Sequence, residues 1–440
     1  MKKVFKSISE SLFKELKSDE DVILSFSGEN SQFIRFNNAS VRQTGLVDDA
    51  DIELKFISNN RICGGGFTIS GNMEIDLARG KHEIERMRNE ANELPEDPFL
   101  VLPENLGSSN VVKEASGLKF EDSIDAILPA MSGTDFVGIL ANGKMFRGNA
   151  NSKGQNHWFE TDTYSLDYSL VTSNHQMVKG SFSGSDWNQD EYESYVNRSK
   201  EKLSLMERKP IKIKTGDYRT WFESAAVSDF LGMFSWNGIS EASLRQGCSG
   251  FGKMRHNDVR LSPKFSVIED FSPGYCPKFN SDGEVAPDEL ALIEAGKLKN
   301  TLISSRSAKE YGLQSNYAEN GEFLRSPRMA IGNLNQNDVV KELDRGLFLS
   351  NIHYLNWSDN PGGRITGLTR YACFWVEGGE IVAPIETMRF DDSFYRFFGD
   401  QLSEVEDRLY SNPEVGTYGG RSLGATACPG ILVDSFSLTL

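Results

Sequence analysis

The side chains most suited to chemistry gather late in the chain. The stretch ITGLTRYACFWVEGGEIVAPIETMRFDDSF, Ile365–Phe394, reads as two strands and a tight turn. It places two arginines, Arg370 and Arg389, and a paired acid, Asp391–Asp392, around that hairpin. The arginines could anchor a carboxylate, and ordinary salt bridging is the simpler expectation. Other acids stand at strand ends and turns: Glu269 and Asp270 in VIEDFSPG, Asp282 and Glu284 in SDGEVAPDE. Paired carboxylates can move protons or hold hard cations. Acids at turns more often satisfy loop amides. Asp391–Asp392, ahead of SFYRFFG, reads as the N-cap of a helix.

A metal centre is not legible. Zinc sites usually need two or more His or Cys ligands at short spacing. The five histidines are His82, His157, His175, His256 and His353, and the closest two are 18 residues apart. His82–Glu83 opens HEIERM on an expected helix, but Arg86 and Met87 stand where a second imidazole would be needed. Nor is there a nucleophile with an evident base. Cys248 and Ser249 lie in RQGCSGFGK, which is neither a phosphate-binding G-x-x-x-x-G-K-[ST] loop nor a G-x-S-x-G elbow. A loop or turn role is the expectation there.

The elements that must position these groups are mostly strands. Val4–Leu16 carries apolar residues at helical spacing, and a second helix is expected from about Ile75 to Leu94. Between them VILSFSG, SQFIRFNNASVRQTGL and DIELKFISNNRICGGGFTIS alternate like strands. Prolines 95, 98 and 103 mark a linker. Further on, EDSIDAILPAM is a short helix, YSLDYSLVT and HQMVKGSFSGSDW are strands, and a polar helix covers about Asp190 to Glu207. From Ile211 the pattern returns to strand, interrupted by helices at about Trp221–Phe234 and Phe394–Leu409. ILANGKMF, LIEAGKLK and WVEGGEIV, with FISNNRIC more loosely, share one form: apolar residues, a two-residue turn, an apolar return. Asn142–Gly143 and Gly378–Gly379 would supply the positive φ angles of two-residue hairpins. The fold class is therefore α+β and sheet-rich. An N-terminal α/β-type sandwich precedes a larger, mostly antiparallel β domain with a few helices. The expected divisions are 1–100, a middle hairpin and helix region at 101–210 packed with the first, and 211–440.

Composition narrows the function classes. The formal net charge is −16 over 440 residues. So acidic a chain repels a phosphate backbone, which argues against direct nucleic-acid binding. The lysines of KPIKIK and of Lys297–Lys299 read as charges that guard strand edges. Five cysteines at long spacings, with no C-x-x-C, fit free thiols in a reducing compartment. No run approaches the roughly 18 apolar residues of a membrane span. The start has no apolar core of a secretory signal, so a cytoplasmic location is expected.

Several long motifs, in order, give the chain a family resemblance. KFSVIEDFSPGYCPKFNSDGEVAPDELALIEAGKLKNTLISSRSAKEYGLQSN is followed by GLFLSNIHYLNWSDNPGGRITGLTRYACFWVEGGEIVAPIETMRFDDSFYRFFG. Together with RFNNASVRQTG and GSFSGSDW, these resemble the TldD/PmbA family, long called modulators of DNA gyrase. The resemblance covers most of the chain and is strongest over about 260–400. It implies two kinds of subunit. One carries an H-E-x-x-x-H helix whose histidines, with a later cysteine, hold a catalytic metal for peptide cleavage; the other lacks that motif and pairs with the first. The matching helix here, RTWFESAAVSDFLGMF (Arg219–Phe234), has Glu223 and Asp229 but no histidine. Cys428 in ATACPGILV lies close to where the catalytic type places its cysteine, in a different local pattern. The resemblance thus implies a non-catalytic, PmbA/TldE-like subunit with no catalytic residue, metal ligand or cofactor of its own. Zinc is expected only on an H-E-x-x-x-H-bearing, TldD-like partner, in a homo- or heterodimer that handles unfolded or ribosomally made peptides. An exposed sheet edge could take such a peptide by strand addition. The alternatives are a stand-alone peptidase of the same family, or a non-enzymatic regulator that binds a protein such as gyrase or an antitoxin.

Overall fold

The computed structural model describes all 440 residues. The first sheet contains β1 (Glu20–Asn37), β2 (Ser40–Ser58), β3 (Arg61–Thr68), β4 (Ser108–Lys113), β5 (Asp135–Asn151), β6 (Asn156–Val171) and β7 (Met177–Gly184). Its order is β3-β2-β1-β5-β6-β4, with β7 also on β6. All pairs are antiparallel except β4 with β6. Strict alternation gives β1 and β2 two faces. Leu24, Phe26, Ile52 and Leu54 are buried on one, under α1 (Lys2–Phe13) and α2 (Met73–Ala91). Phe5 of α1 packs 5.3 Å from Phe26, and each such buried ring contributes roughly 1.5–3 kcal/mol. Ser25, Ser27, Asp51 and Glu53 face the other way.

The residues around Asn142–Gly143 differ from the expected hairpin: they lie inside one continuous strand, β5. Gly143 has φ +134°, and a Cβ there would sit 2.3 Å from the carbonyl oxygen of Asn30 on β1. The glycine serves close strand approach rather than a turn. Asn142 is buried and donates to the Leu118 carbonyl at 2.5 Å. The other repeats are hairpins as expected: Asn59 and Asn60, Ala295 and Gly296, and Gly378 and Gly379 all have positive φ. Helices α3 (Ser123–Met131) and α4 (Gln189–Met206) cover the β5–β7 end, where the Tyr192 hydroxyl donates to the Ile127 carbonyl at 2.9 Å.

The second half builds two further sheets around α5 (Ser224–Ser235), which follows β8 (Gly216–Phe222) directly. Short helices α6 (Glu241–Arg245), α7 (Gly252–Arg255), α8 (Ser305–Tyr311) and α9 (Val339–Leu343) fill the connections. One sheet takes β9 (Val267–Asp270), β10 (Glu289–Glu294), β11 (Lys297–Leu298), β12 (Pro327–Met329), β18 (Tyr410–Pro413) and β19 (Ala425–Cys428) in the order β11-β10-β9-β12-β19-β18. The other takes β8, β13 (Gly346–Asp359), β14 (Arg364–Glu377), β15 (Glu380–Pro384), β16 (Arg389–Ser393), β17 (Leu402–Val405) and β20 (Ile431–Leu438). Five of these strands close a ring, β13-β14-β16-β20-β8 and back to β13. Phe230 of α5 packs against Phe222, Phe390 and Phe436 from three strands of that ring.

The expected helix over 394–409 is not formed. Only a single wide turn, Arg396–Asp400, is present, broken by Gly399 at φ −97°, ψ −124°, and the chain then continues as β17. Phe394, Phe397 and Phe398 are all fully buried, so apolar residues with helical spacing here serve a core that surrounds the segment. Asp391 and Asp392 accordingly cap no helix. They are strand residues of β16: Asp391 pairs with Arg364 at 2.6 Å, and Asp392 holds Arg396 at 3.0 Å and the Ser437 amide at 3.1 Å. The two halves share one apolar cluster, in which Trp221, Phe348, Phe374 and Leu432 pack with Ile127, Leu166 and Val196. No helix is long and apolar enough to cross a membrane.

Candidate functional site

A cleft of 1060 Å³ separates the first sheet from the C-terminal half. Its floor is the face of the sheet turned away from α1 and α2. Register sets two rows of residues across that floor. One row is Arg147, Ser27, Asp51 and Thr68, from β5, β1, β2 and β3; the next is Asn149, Ser25, Glu53 and Gly66. The opposite wall comes from the end of α5 (Leu231, Gly232, Ser235), from Phe323–Arg325 and from Ser422–Thr426. At one side the segment Phe279–Glu284 docks onto the sheet. Asn149 and Ser25 both donate to the Ser281 carbonyl at 2.9 Å, and Lys55 pairs with Asp282 at 2.5 Å. His157 stacks on Phe279 at 5.3 Å, with Nδ1 2.8 Å from the Ser109 hydroxyl, and burial holds its pKa below the ordinary histidine value. Gly283 permits this closeness: a Cβ would lie 2.0 Å from Gln155 Nε2.

The first turn of α5 meets Cys428 beside the cleft. The Ser224 hydroxyl donates to the Cys428 carbonyl at 2.8 Å, and the thiol donates to the Ser224 carbonyl at 3.3 Å. Asn412 Nδ2 donates to Ser224 Oγ at 2.8 Å and lies 3.6 Å from Cys428 Sγ. Burial pushes the Cys428 thiol up to about 12. One helical turn and a half further on, Asp229 reaches solvent, yet the surrounding protein pushes its carboxyl up to about 7, and the charge of Glu414 on the cleft wall adds to this. Glu223 at the N-cap of α5 makes no capping bond and pairs with Lys202 at 2.6 Å. Ser224, Asn412 and Cys428 satisfy one another as a closed polar knot. Zinc in such sites takes imidazole, thiolate and carboxylate ligands, whereas this helix carries no imidazole and sets the Ser224 hydroxyl against the thiol of Cys428. The residues do not fit such an ion, and no three His, Cys, Asp or Glu side chains converge into a metal-holding group elsewhere.

The other sequence candidates lie apart from the cleft or are tied into the scaffold. Arg370 and Arg389 are exposed on the ring sheet and do not line the cleft. Arg370 lies over the Tyr371 ring at 5.0 Å, and Arg389 Nε donates to the Thr366 hydroxyl at 3.1 Å. Asp270 pairs with Arg328 at 2.7 Å, and buried Glu269 accepts the amides of Arg325 and Ser326. Cys248 is exposed in a turn that Ser249 fastens by donating to the Gly238 carbonyl at 2.5 Å. Sequence reading missed the floor itself. Its one signal was the polar face of β1 and β2, which alternation exposes without saying what covers it.

Comparison with known proteins places this architecture. Residues 215–440, just over half of the chain, match the family model described as the PmbA/TldA metallopeptidase C-terminal domain. No curated protein matches. Among solved structures, a proposed modulator of DNA gyrase from Thermotoga maritima superposes with TM-score 0.78 at 16% identity, covering 99% of this chain and 100% of the other. TldE from Thermococcus kodakarensis gives TM-score 0.78 at 15% identity, with 99% and 100% covered. A proposed modulator of DNA gyrase from Bacteroides thetaiotaomicron gives 0.77 at 15%, with 100% and 98% covered. At such identities the likeness is one of fold.

Proposed function

The chain belongs to the PmbA/TldD metallopeptidase family, and from that premise we propose that it is the family's non-catalytic, PmbA/TldE-like subunit. In this reading it assembles with a TldD-like partner bearing the H-E-x-x-x-H helix, and its cleft takes part in holding peptides for proteolysis. The observation that carries the reading is the knot at α5. Where the catalytic kind of subunit carries an H-E-x-x-x-H helix near a cysteine, the matching helix here has no imidazole, and the thiol of Cys428 is already hydrogen-bonded to Ser224. Without a bound ion, nothing there lowers the pKa of an attacking water. The fold likeness to the Thermococcus TldE agrees with this reading without deciding it. Arg370 and Arg389 keep a secondary place in the proposal, as exposed cations free of carboxylate partners within salt-bridge distance that a peptide acid could reach.

The test is reconstitution. The chain is purified alone and together with an H-E-x-x-x-H-bearing relative from the same genome. Unfolded casein-like peptide should be cleaved only by the pair, in a chelator-sensitive manner. Cleavage by this chain alone, lost on chelation, would overturn the proposal in favour of a stand-alone peptidase. Failure of the two chains to associate would favour a regulator of another partner.

A further inference from the structure

The floor of the cleft carries opposite charges that do not reach each other. Arg147 stands on β5 and Asp51 on β2, with β1 between them, in one cross-strand row. Two strand spacings of about 4.8 Å put their Cα atoms roughly 10 Å apart. Arg147 has no carboxylate within ion-pair distance. Its guanidinium donates to the main-chain carbonyls of Phe146 at 2.8 Å and Arg421 at 3.3 Å, which leaves three of its five N–H donors free. Burial lowers its pKa and the charge of Glu29 opposes this, so it is a partly desolvated cation. Asp51 and Glu53, side by side on β2, are exposed and pair with no cation; Asp51 accepts one bond, from the Thr68 hydroxyl at 2.6 Å. Of the other charged residues lining the cleft, Arg325 is engaged by the carbonyls of residues 277–279 and Glu319 by Ser281, while Glu414 stands on the opposite wall.

An anion site and a cation site on one sheet select a ligand that carries both charges, and the roughly 10 Å between the two Cα atoms sets the scale of their separation. At about 3.4 Å per residue, the ends of an extended tripeptide lie roughly 10 Å apart. We propose that the cleft takes short peptides, about three residues long, with both termini free. The terminal carboxylate meets Arg147 and the terminal ammonium meets Asp51 and Glu53. The peptide lies across β5, β1 and β2 instead of extending the sheet at its β3 edge. Its side chains face Phe323 and Leu423 on the opposite wall, and the cleft volume is ample for it. This rests on the reading that the cleft handles peptides, and it narrows that reading to the fragments made late in degradation.

The test is calorimetric titration of the full-length chain with trialanine, N-acetyl-trialanine and trialanine amide, at neutral pH and low ionic strength. Blocking either end should weaken binding at least about tenfold, the loss of one charge-assisted contact. Arg147→Gln should abolish the preference for free acid over amide and keep the sensitivity to acetylation. The double variant Asp51→Asn, Glu53→Gln should do the reverse. Should Arg147→Gln fail to fold, Arg147→Lys, which keeps the charge, should retain a reduced acid preference. Equal binding of all three peptides, or no binding of trialanine, would overturn the assignment. Neither outcome touches the subunit role, which the reconstituted cleavage decides.

Discussion

Single residues in this molecule report their surroundings through titration and reactivity. Glu269 is 3% exposed, and burial pushes its carboxyl from 4.5 up to about 7 despite two amide donors. A raised folded pKa means that the native state binds this proton more tightly than the unfolded chain does. The contribution to stability is then full below about 4.5 and is lost as pH rises through 7, an effect of order 3 kcal/mol. Glu269→Gln, which can still accept both amides, should match the parent near pH 4 and melt several degrees higher at pH 8. Thermal denaturation across that range checks it, and a parallel pair of curves would contradict it. Thiol chemistry gives a second reading at this scale. Four of the five cysteines are buried and Cys248 is exposed. One equivalent of thiol should react quickly with a disulfide reagent in the native protein, at Cys248, and the rest only on unfolding. A Cys248→Ser variant should retain any cleavage by the reconstituted pair.

Elements show where local sequence is sufficient and where it is not. Asn59–Asn60 and Gly378–Gly379 form the hairpins their residue types suggest, because nothing else competes for them. Asn142–Gly143 carries the same turn signal, but β1 and β6 flank it on both sides and the neighbouring strands decide. The contrast is measurable. A methyl group on Gly378 would meet nothing within 4 Å, and φ there is +63°, so Gly378→Ala should cost about 1 kcal/mol of backbone strain. Gly143→Ala forces a methyl into the Asn30 carbonyl and should cost about 2–4 kcal/mol. Urea denaturation of the two variants tests the order, which a turn at residue 143 would reverse or level. The segment after Asp392 teaches a similar lesson. Its aromatic residues repeat like a helix, yet Phe394, Phe397 and Phe398 all point into one core, a demand that only the assembled ring imposes.

The whole molecule determines the site. The α+β class, the placement of α5 and the absence of histidine from it were all readable, since they follow from local alternation and residue identity. The cleft was not, because its floor combines four strands spread over residues 25 to 149 and its far wall comes from residues after 230. Only tertiary register brings Arg147 level with Asp51. The halves are also joined by a common apolar cluster and by the Gly283 contact. We therefore expect a single calorimetric unfolding transition for the intact chain, and a lowered one for Gly283→Ala; two well-separated transitions would show that the halves are independent. The subunit reading stands on the knot of Ser224, Asn412 and Cys428. Its most direct measurement is the metal content of the chain purified alone, after incubation with zinc and removal of the excess, by mass spectrometry of the dissolved sample. The prediction is far less than one zinc per chain, unchanged in Cys428→Ser. One zinc per chain, lost in that variant, would contradict it.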